Sequence, residues 1–326
     1  MPRPPVPAWR AALFIAVLIA IAGPWPWGRP DLALLAGIVL ALAGLTAFEP
    51  QSRIASRWLI QACVVLLGLR LDLATLAKAA ADGFTLAIGT ILGTLALGLL
   101  LGRLLRSGRE VSTLVSSGTA ICGGSAIGAV GSAIGASASS MAVATAAIFI
   151  LNAVGLWTLP AIGHALHLSE SQFGTWAGVA LHDIASVNGA AKSYGPVAMD
   201  TANVVKMIRV IWIFPIALIA GRLVRHESAK GKAGPFPWFI VLFVTGSALR
   251  TFIPNLQQIE SGVKQVSGVG FQVALFLIGA GLSRSAIKAV GWRALVQATV
   301  LWLAVAGASL GIILWMNGGS AGLSGA

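Results

Sequence analysis

The chain has 326 residues, 57% of them hydrophobic and 10% charged, with a mean hydropathy of +0.88 and a formal net charge of +12. A soluble domain carries about 25% charged residues, so the composition excludes that class and points to an all-α polytopic membrane protein. Most Lys and Arg residues sit in short loops between apolar runs, as the positive-inside rule distributes them. No continuous basic face is offered to nucleic acid.

A bilayer core of about 30 Å asks for spans of about 20 apolar residues. On that basis the chain reads as spans at 11–23, 32–48, 58–71, 84–102, 111–134, 141–159, 175–191, 198–223, 238–250, 269–282 and 293–316. That makes about 11 transmembrane helices in a single integral-membrane transporter domain over 1–326. The start, MPRPPVPAWR followed by AALFIAVLIAIAG, also has the basic head and short apolar core of a signal peptide; whether it is cleaved leaves the topology unchanged. Residues 49–57 read as a hydrophilic joint, 72–83 as an interfacial helical turn and 160–172 as a loop. Basic loops at Arg53/Arg57, Arg103/Arg106/Arg109, Arg225/Lys230/Lys232 and Arg284/Lys288/Arg293 share one side if the N-terminus is cytoplasmic and the uncharged tail lies outside. The 160–172 loop disagrees, holding only His164, His167 and Glu170 on a side that should be basic.

LLGLRL at 66–71 matches LIGAGL at 277–282, with Gly68 falling on Gly279. In this topology the two copies run in opposite directions, as the inverted repeats of many secondary transporters do. The expected division is a first repeat region over 11–134 and a second over 141–316, each with one broken helix, at 111–134 and 175–191.

The first broken span holds SSGTAICGGSAIGA at 116–129. Ser116, Ser117, Thr119 and Ser125 offer hydroxyls, while Gly118, Gly123 and Gly124 leave the backbone bare beside Cys122. Glycine allows the φ > 0 geometry of a helix break, and a helix restarting in mid-membrane presents free N–H groups to an anion. The competing reading is close helix packing through small residues, which also wants Gly, Ser and Ala.

The second, HDIASVNGAA at 182–191, sets His182 beside Asp183, with Ser186 and Asn188 extending the polar face. A carboxylate at mid-membrane costs at least ~2.5–3.5 kcal/mol on insertion scales, so it is paired, protonated or functional. Asp183 suits a coupling proton or sodium; the alternative is an ion pair with Lys206 or Arg209. Asp200, Asn203, Lys206 and Arg209 follow at i, i+3, i+6 and i+9 along one slowly turning helix face. Those two cations either support a bound anion or snorkel to an interface. Cys63 and Cys122 suggest neither a disulfide nor a zinc site, and there is no GxxxxGK[ST] or HExxH. No cofactor or metal is expected.

LLGLRL (66–71), SSGTAICGGSAIGA (116–129), GVALHDIASV (178–187) and KMIRV (206–210) together resemble the YeiH-like family of bacterial inner-membrane proteins, to which sulfate export is attributed. The resemblance implies a place near the bile-acid/sodium symporters and arsenite transporters: inverted repeats, a panel and a core domain, and two discontinuous helices crossing at the substrate site. It puts the family's small-residue block on Gly118, Thr119, Cys122, Gly123 and Ser125, its His-acid pair on His182 and Asp183, and its basic pair on Lys206 and Arg209.

The expected function is alternating-access transport of a small anion, such as sulfate, another sulfur oxyanion or a small organic anion. The expected substrate-binding residues are Ser116, Ser117, Gly118, Thr119, Cys122, Gly123, Gly124, Ser125, His182, Ser186 and Asn188, with Asp183 for the coupling ion and Lys206 and Arg209 as supporting charge. A passive anion channel, and an enzyme using His182 and Asp183 as acid and base, are the alternatives. Partners are the lipid bilayer, the anion and a coupling proton or sodium; a homo-oligomer is left open.

Overall fold

A computed structural model of the protein describes residues 7–23, 29–223, 238–282, 284, 288 and 290–321. The regular elements these residues form are all helices, with no strand among them. The helices are α1 (Ala8–Ala22), α2 (Pro30–Leu42), α3 (Glu49–Gly68), α4 (Leu73–Leu105), α5 (Arg109–Ala120), α6 (Gly124–Ile134) and α7 (Ala138–Ala165). They are followed by α8 (Glu170–Ala180), α9 (Ile184–Tyr194), α10 (Pro196–Ile211), α11 (Ile213–Leu223), α12 (Trp238–Phe252), α13 (Glu260–Ala280) and α14 (Gly291–Ala321).

Local chemistry sets many of these boundaries. Pro30 and Pro196 stand at the start of α2 and α10, where a missing N–H costs no hydrogen bond. Ser169 and Gln172 close a reciprocal capping box that starts α8. Gly135 ends α6 in the left-handed conformation, at φ 69°. Pro215 explains the turn at Trp212 between α10 and α11: its ring lacks an N–H and would clash with the carbonyl of Ile211 four residues back.

Three sequence expectations need correction. The joint at 49–57 is helical and forms the start of α3, and residues 73–83 run without interruption into the 33-residue α4. The loop expected at 160–172 shrinks to residues 166–169, because α7 continues through Pro160 to Ala165. Packing holds that last turn: Gly163 leaves room for Phe173 and Tyr194, whose rings stack at 3.9 Å. Interior prolines of this kind are tolerated where neighbouring helices support the opened backbone.

By length and composition, five described stretches are apolar enough to cross a membrane: 85–105, 138–165, 196–223, 260–280 and 291–316. Of the remaining expected spans, 58–71 falls in the 20-residue α3 and the others are shorter helices or pairs of half-helices; α5, α6, α8 and α9 have only 11 or 12 residues each. The stretch with Arg225, Lys230 and Lys232 lies outside the described residues. Leu92, Leu99, Leu100 and Leu104 of α4 and Leu303 and Trp315 of α14 are exposed, a surface suited to lipid.

The chain divides into two compact units, Met1–Leu76 with Trp238–Lys288, and Ala77–Pro237 with Ala289–Ala326. Neither coincides with the expected regions 11–134 and 141–316. In the first unit, Phe14, Leu40, Phe276 and Leu277 build an apolar core among α1, α2 and α13. Gly68 of α3 lies too close to the carbonyl of Phe243 in α12 to admit a Cβ, and Gly279 of α13 stands in the same way against Leu34 of α2. The glycines that match in sequence thus make matching backbone contacts.

In the second unit, α8 packs on α10 and α14, and α5 on α6, α7 and α14. Two indoles latch α8 to α14: Trp176 Nε1 donates to Ala306 O at 2.8 Å and Trp302 Nε1 to Ala180 O at 3.0 Å. Gln297 of α14 donates to Gly98 O at 2.9 Å and to Ser112 Oγ at 3.1 Å, tying α4 to α5.

Candidate functional site

Both small-residue segments are helix interruptions, and both lie in the second unit. α5 ends at Ala120 and α6 begins at Gly124; α8 ends at Ala180 and α9 begins at Ile184. At the first break, Gly123 N–H donates back to Gly118 O at 2.9 Å, the six-residue closure typical of helix ends. Gly123 itself sits at φ 67°, ψ −120°, a conformation that disfavours any residue with a Cβ. A Cβ there would also lie 3.3 Å from His182 Cβ. The two breaks therefore touch.

The interruptions create four polarised helix ends. Arg209 Nη2 donates to Ala120 O, the carbonyl end of α5, at 2.5 Å, while its Nη1 donates to Thr90 Oγ1 at 2.9 Å. Lys206 Nζ donates to Leu181 O and to Gly178 O at the carbonyl end of α8. Both cations are 0% exposed, so neither snorkels. Asp183 caps the amino end of α9, its Oδ1 accepting from Ser186 N–H at 2.8 Å and its Oδ2 from Ser186 Oγ at 2.7 Å. The expected alternative of a direct ion pair does not form: Asp183 bonds to Ser186 and Asn152, and the cations to carbonyls and Thr90.

The fourth end, the start of α6, has no side-chain cap from Gly123. Its first intrahelical bond is Ile127 N–H to Gly123 O at 3.0 Å, which leaves the N–H groups of Gly124, Ser125 and Ala126 without an intrahelical acceptor, the Ala126 N–H facing the Cys122 sulfur. Gly124 is half-buried and Ser125 exposed, so this end opens outward.

The hydroxyls divide into engaged and free. Ser116 Oγ donates to Ser112 O at 2.6 Å and faces Gly98 of α4, where no Cβ would fit; it is a packing residue. Ser117 Oγ donates to Leu114 O at 3.1 Å. Gly118 makes room for Ile148 and Ile127. Ser186 belongs to the Asp183 cap, and Asn188 pairs its amide with Asn203 across 2.7 and 2.9 Å. By contrast, Thr119 Oγ1 and His182 Nε2 are buried without a hydrogen-bond partner, and Cys122 is a buried free thiol.

Sequence reading missed Asn152 and Thr90. Asn152, 2% exposed in α7, bridges the pair at 182–183: its Nδ2 donates to Asp183 Oδ2, and its Oδ1 accepts from His182 N–H at 2.9 Å and lies 3.0 Å from His182 Nδ1. A lone amide within the apolar run IFILNAVGLW was the available signal. His164 stacks on Tyr194, and Glu170 accepts from the Val197 and Ala198 N–H groups and so caps α10. No group of metal-ligating side chains occurs among the described residues.

Residues 11–298 match the family model described as "Conserved hypothetical protein 698". A UPF0324 membrane protein of Bdellovibrio bacteriovorus is 38% identical over 313 residues, covering 94% of this chain and 95% of that one. The chain belongs to the UPF0324 family. That family is the YeiH-like group whose motifs the sequence resembles. UPF0324 membrane proteins of Porphyromonas gingivalis, 40% identical over 291 residues (88% of each chain), and of Bacteroides thetaiotaomicron, 36% over 292 residues (89% and 88%), are similar to it as well. No solved structure matches the chain.

Proposed function

We propose that this UPF0324 protein is a secondary transporter of a small anion, working by alternating access in the bacterial inner membrane. The observation that carries the reading is the unequal treatment of the four helix ends. Three have a charged side chain of opposite sign, Arg209, Lys206 and Asp183, while the amino end of α6 has none. In their ordinary ionised forms these side chains leave one positive charge unmatched. An anion at the start of α6 matches it, next to His182. Discontinuous helices meeting at a buried polar site are how secondary transporters hold solutes.

The ligand set narrows to the first N–H groups of α6 with Ser125, Thr119 and His182. Lys206, Arg209 and Asp183 hold the breaks open and set the local charge, Asp183 serving a coupling proton or sodium. The matching backbone contacts of Gly68 and Gly279 support a repeat within the first unit, and the basic loops support a cytoplasmic N-terminus.

Flux into proteoliposomes tests the reading. Saturable uptake of a small oxyanion, from a panel that includes sulfate, hydrogensulfite and hydrogencarbonate, driven by an imposed proton or sodium gradient, is expected. Ohmic single-channel currents without saturation would replace transport by a channel.

A further inference from the structure

Asn152 joins the two residues of the His-Asp pair, and its amide orientation follows from chemistry alone. The backbone N–H of His182 can only donate, so the atom it meets at 2.9 Å is the Asn152 oxygen, and the amide nitrogen is the one turned to Asp183. That same oxygen lies 3.0 Å from His182 Nδ1. Two lone pairs would repel at that distance, so Nδ1 carries the proton. In the neutral ring the lone pair then belongs to Nε2, which is buried and has no partner. His182 is 1% exposed, and its Cβ stands against Gly123 at the uncapped start of α6.

We infer that Asn152 is a positioning residue that holds His182 in the Nδ1–H tautomer, leaving Nε2 as a buried acceptor satisfied by an anion that carries its own O–H. The inference rests on the anion-site reading and sharpens it. The negative oxygens of such an anion take the N–H groups of α6, and its O–H donates to Nε2. Every donor the protein offers suits any anion; the acceptor at Nε2 selects. A hydrogen oxyanion, such as hydrogensulfite or hydrogencarbonate, fits this pattern, and fully deprotonated sulfate does not.

The test uses the purified full-length protein with ¹⁵N-labelled histidine, the His182 signals being those lost in His182→Gln among four histidines. The expected spectrum shows a protonated Nδ1 and a bare Nε2 that shifts on adding hydrogencarbonate. Affinities are compared in matched pairs: hydrogencarbonate against nitrate, both planar monoanions, and hydrogensulfite against chlorate, both pyramidal. The O–H member should bind about tenfold or more tightly in each pair, since an unmade buried hydrogen bond is costly. Asn152→Leu should lose both the tautomer signature and the discrimination. If Asn152→Leu fails to fold, the wild-type spectrum and the anion pairs still decide.

A protonated Nε2, or equal affinity within both pairs, overturns the inference. Anion flux without any O–H preference does so while leaving transport intact. Retained tautomer and preference with no anion flux would overturn transport alone.

Discussion

Arg209 Nη2 meets the carbonyl of Ala120 at 2.5 Å, with the whole side chain withdrawn from solvent. A buried guanidinium is thus committed to a helix end, and its removal orphans that carbonyl, while Thr90 loses a donor but keeps its own bond to Leu86 O. Arg209→Met should lower stability by about 1–3 kcal/mol and weaken anion binding at least tenfold. Arg209→Lys, with a point charge in place of a fork, should recover part of both. Thermal unfolding with and without anion reads the two effects.

Gly123→Ala combines strain with displacement. Its φ of 67° and the 3.3 Å approach to His182 Cβ both work against a methyl group. A loss of about 1–2 kcal/mol is expected from the backbone conformation, together with loss of anion binding as His182 is pushed away. Gly68→Ala, in the other unit, whose Cβ would lie only 2.2 Å from the Phe243 carbonyl oxygen, should lower stability and leave anion affinity unchanged. The two variants measured side by side separate site from framework.

Asp183→Asn removes the carboxylate that caps α9. Asn caps a helix about as well as Asp does, so the protein should fold. Ion-driven flux should fall much further than anion affinity does. Undiminished proton- or sodium-dependent flux in this variant would remove the coupling role from Asp183.

Thr119→Val and Ser116→Ala should behave oppositely. The Thr119 hydroxyl is buried and unpartnered, so a nearly isosteric Val should stabilise the empty protein by about 1 kcal/mol while weakening the anion. Ser116 bonds its own helix and packs on α4, so Ser116→Ala should leave affinity unchanged. Equilibrium binding and unfolding of both variants check this.

The class of the protein and the position of both breaks were legible because bilayer length and small polar residues leave strong marks on sequence. Residues 121–123 and 181–183 interrupt the helices inside the expected stretches. What composition could not separate was hydroxyls that face a solute from hydroxyls that face their own backbone, since Ser116 and Thr119 differ only by their turn around α5. Nor could it reveal that Lys206 and Arg209 each reach a different break, because that depends on where α10 packs. Asn152 escaped for the same reason: its partners are some 30 positions away, and only the fold brings them to it.

Thermal unfolding of the purified protein against a panel of anions, with and without sodium, examines the claim that an anion occupies the uncapped start of α6. Saturation at ~100 Kd should stabilise by ~2.7 kcal/mol, and the gain should vanish in Gly123→Ala. A protein stabilised by sodium or a neutral solute, and by no anion, would contradict it.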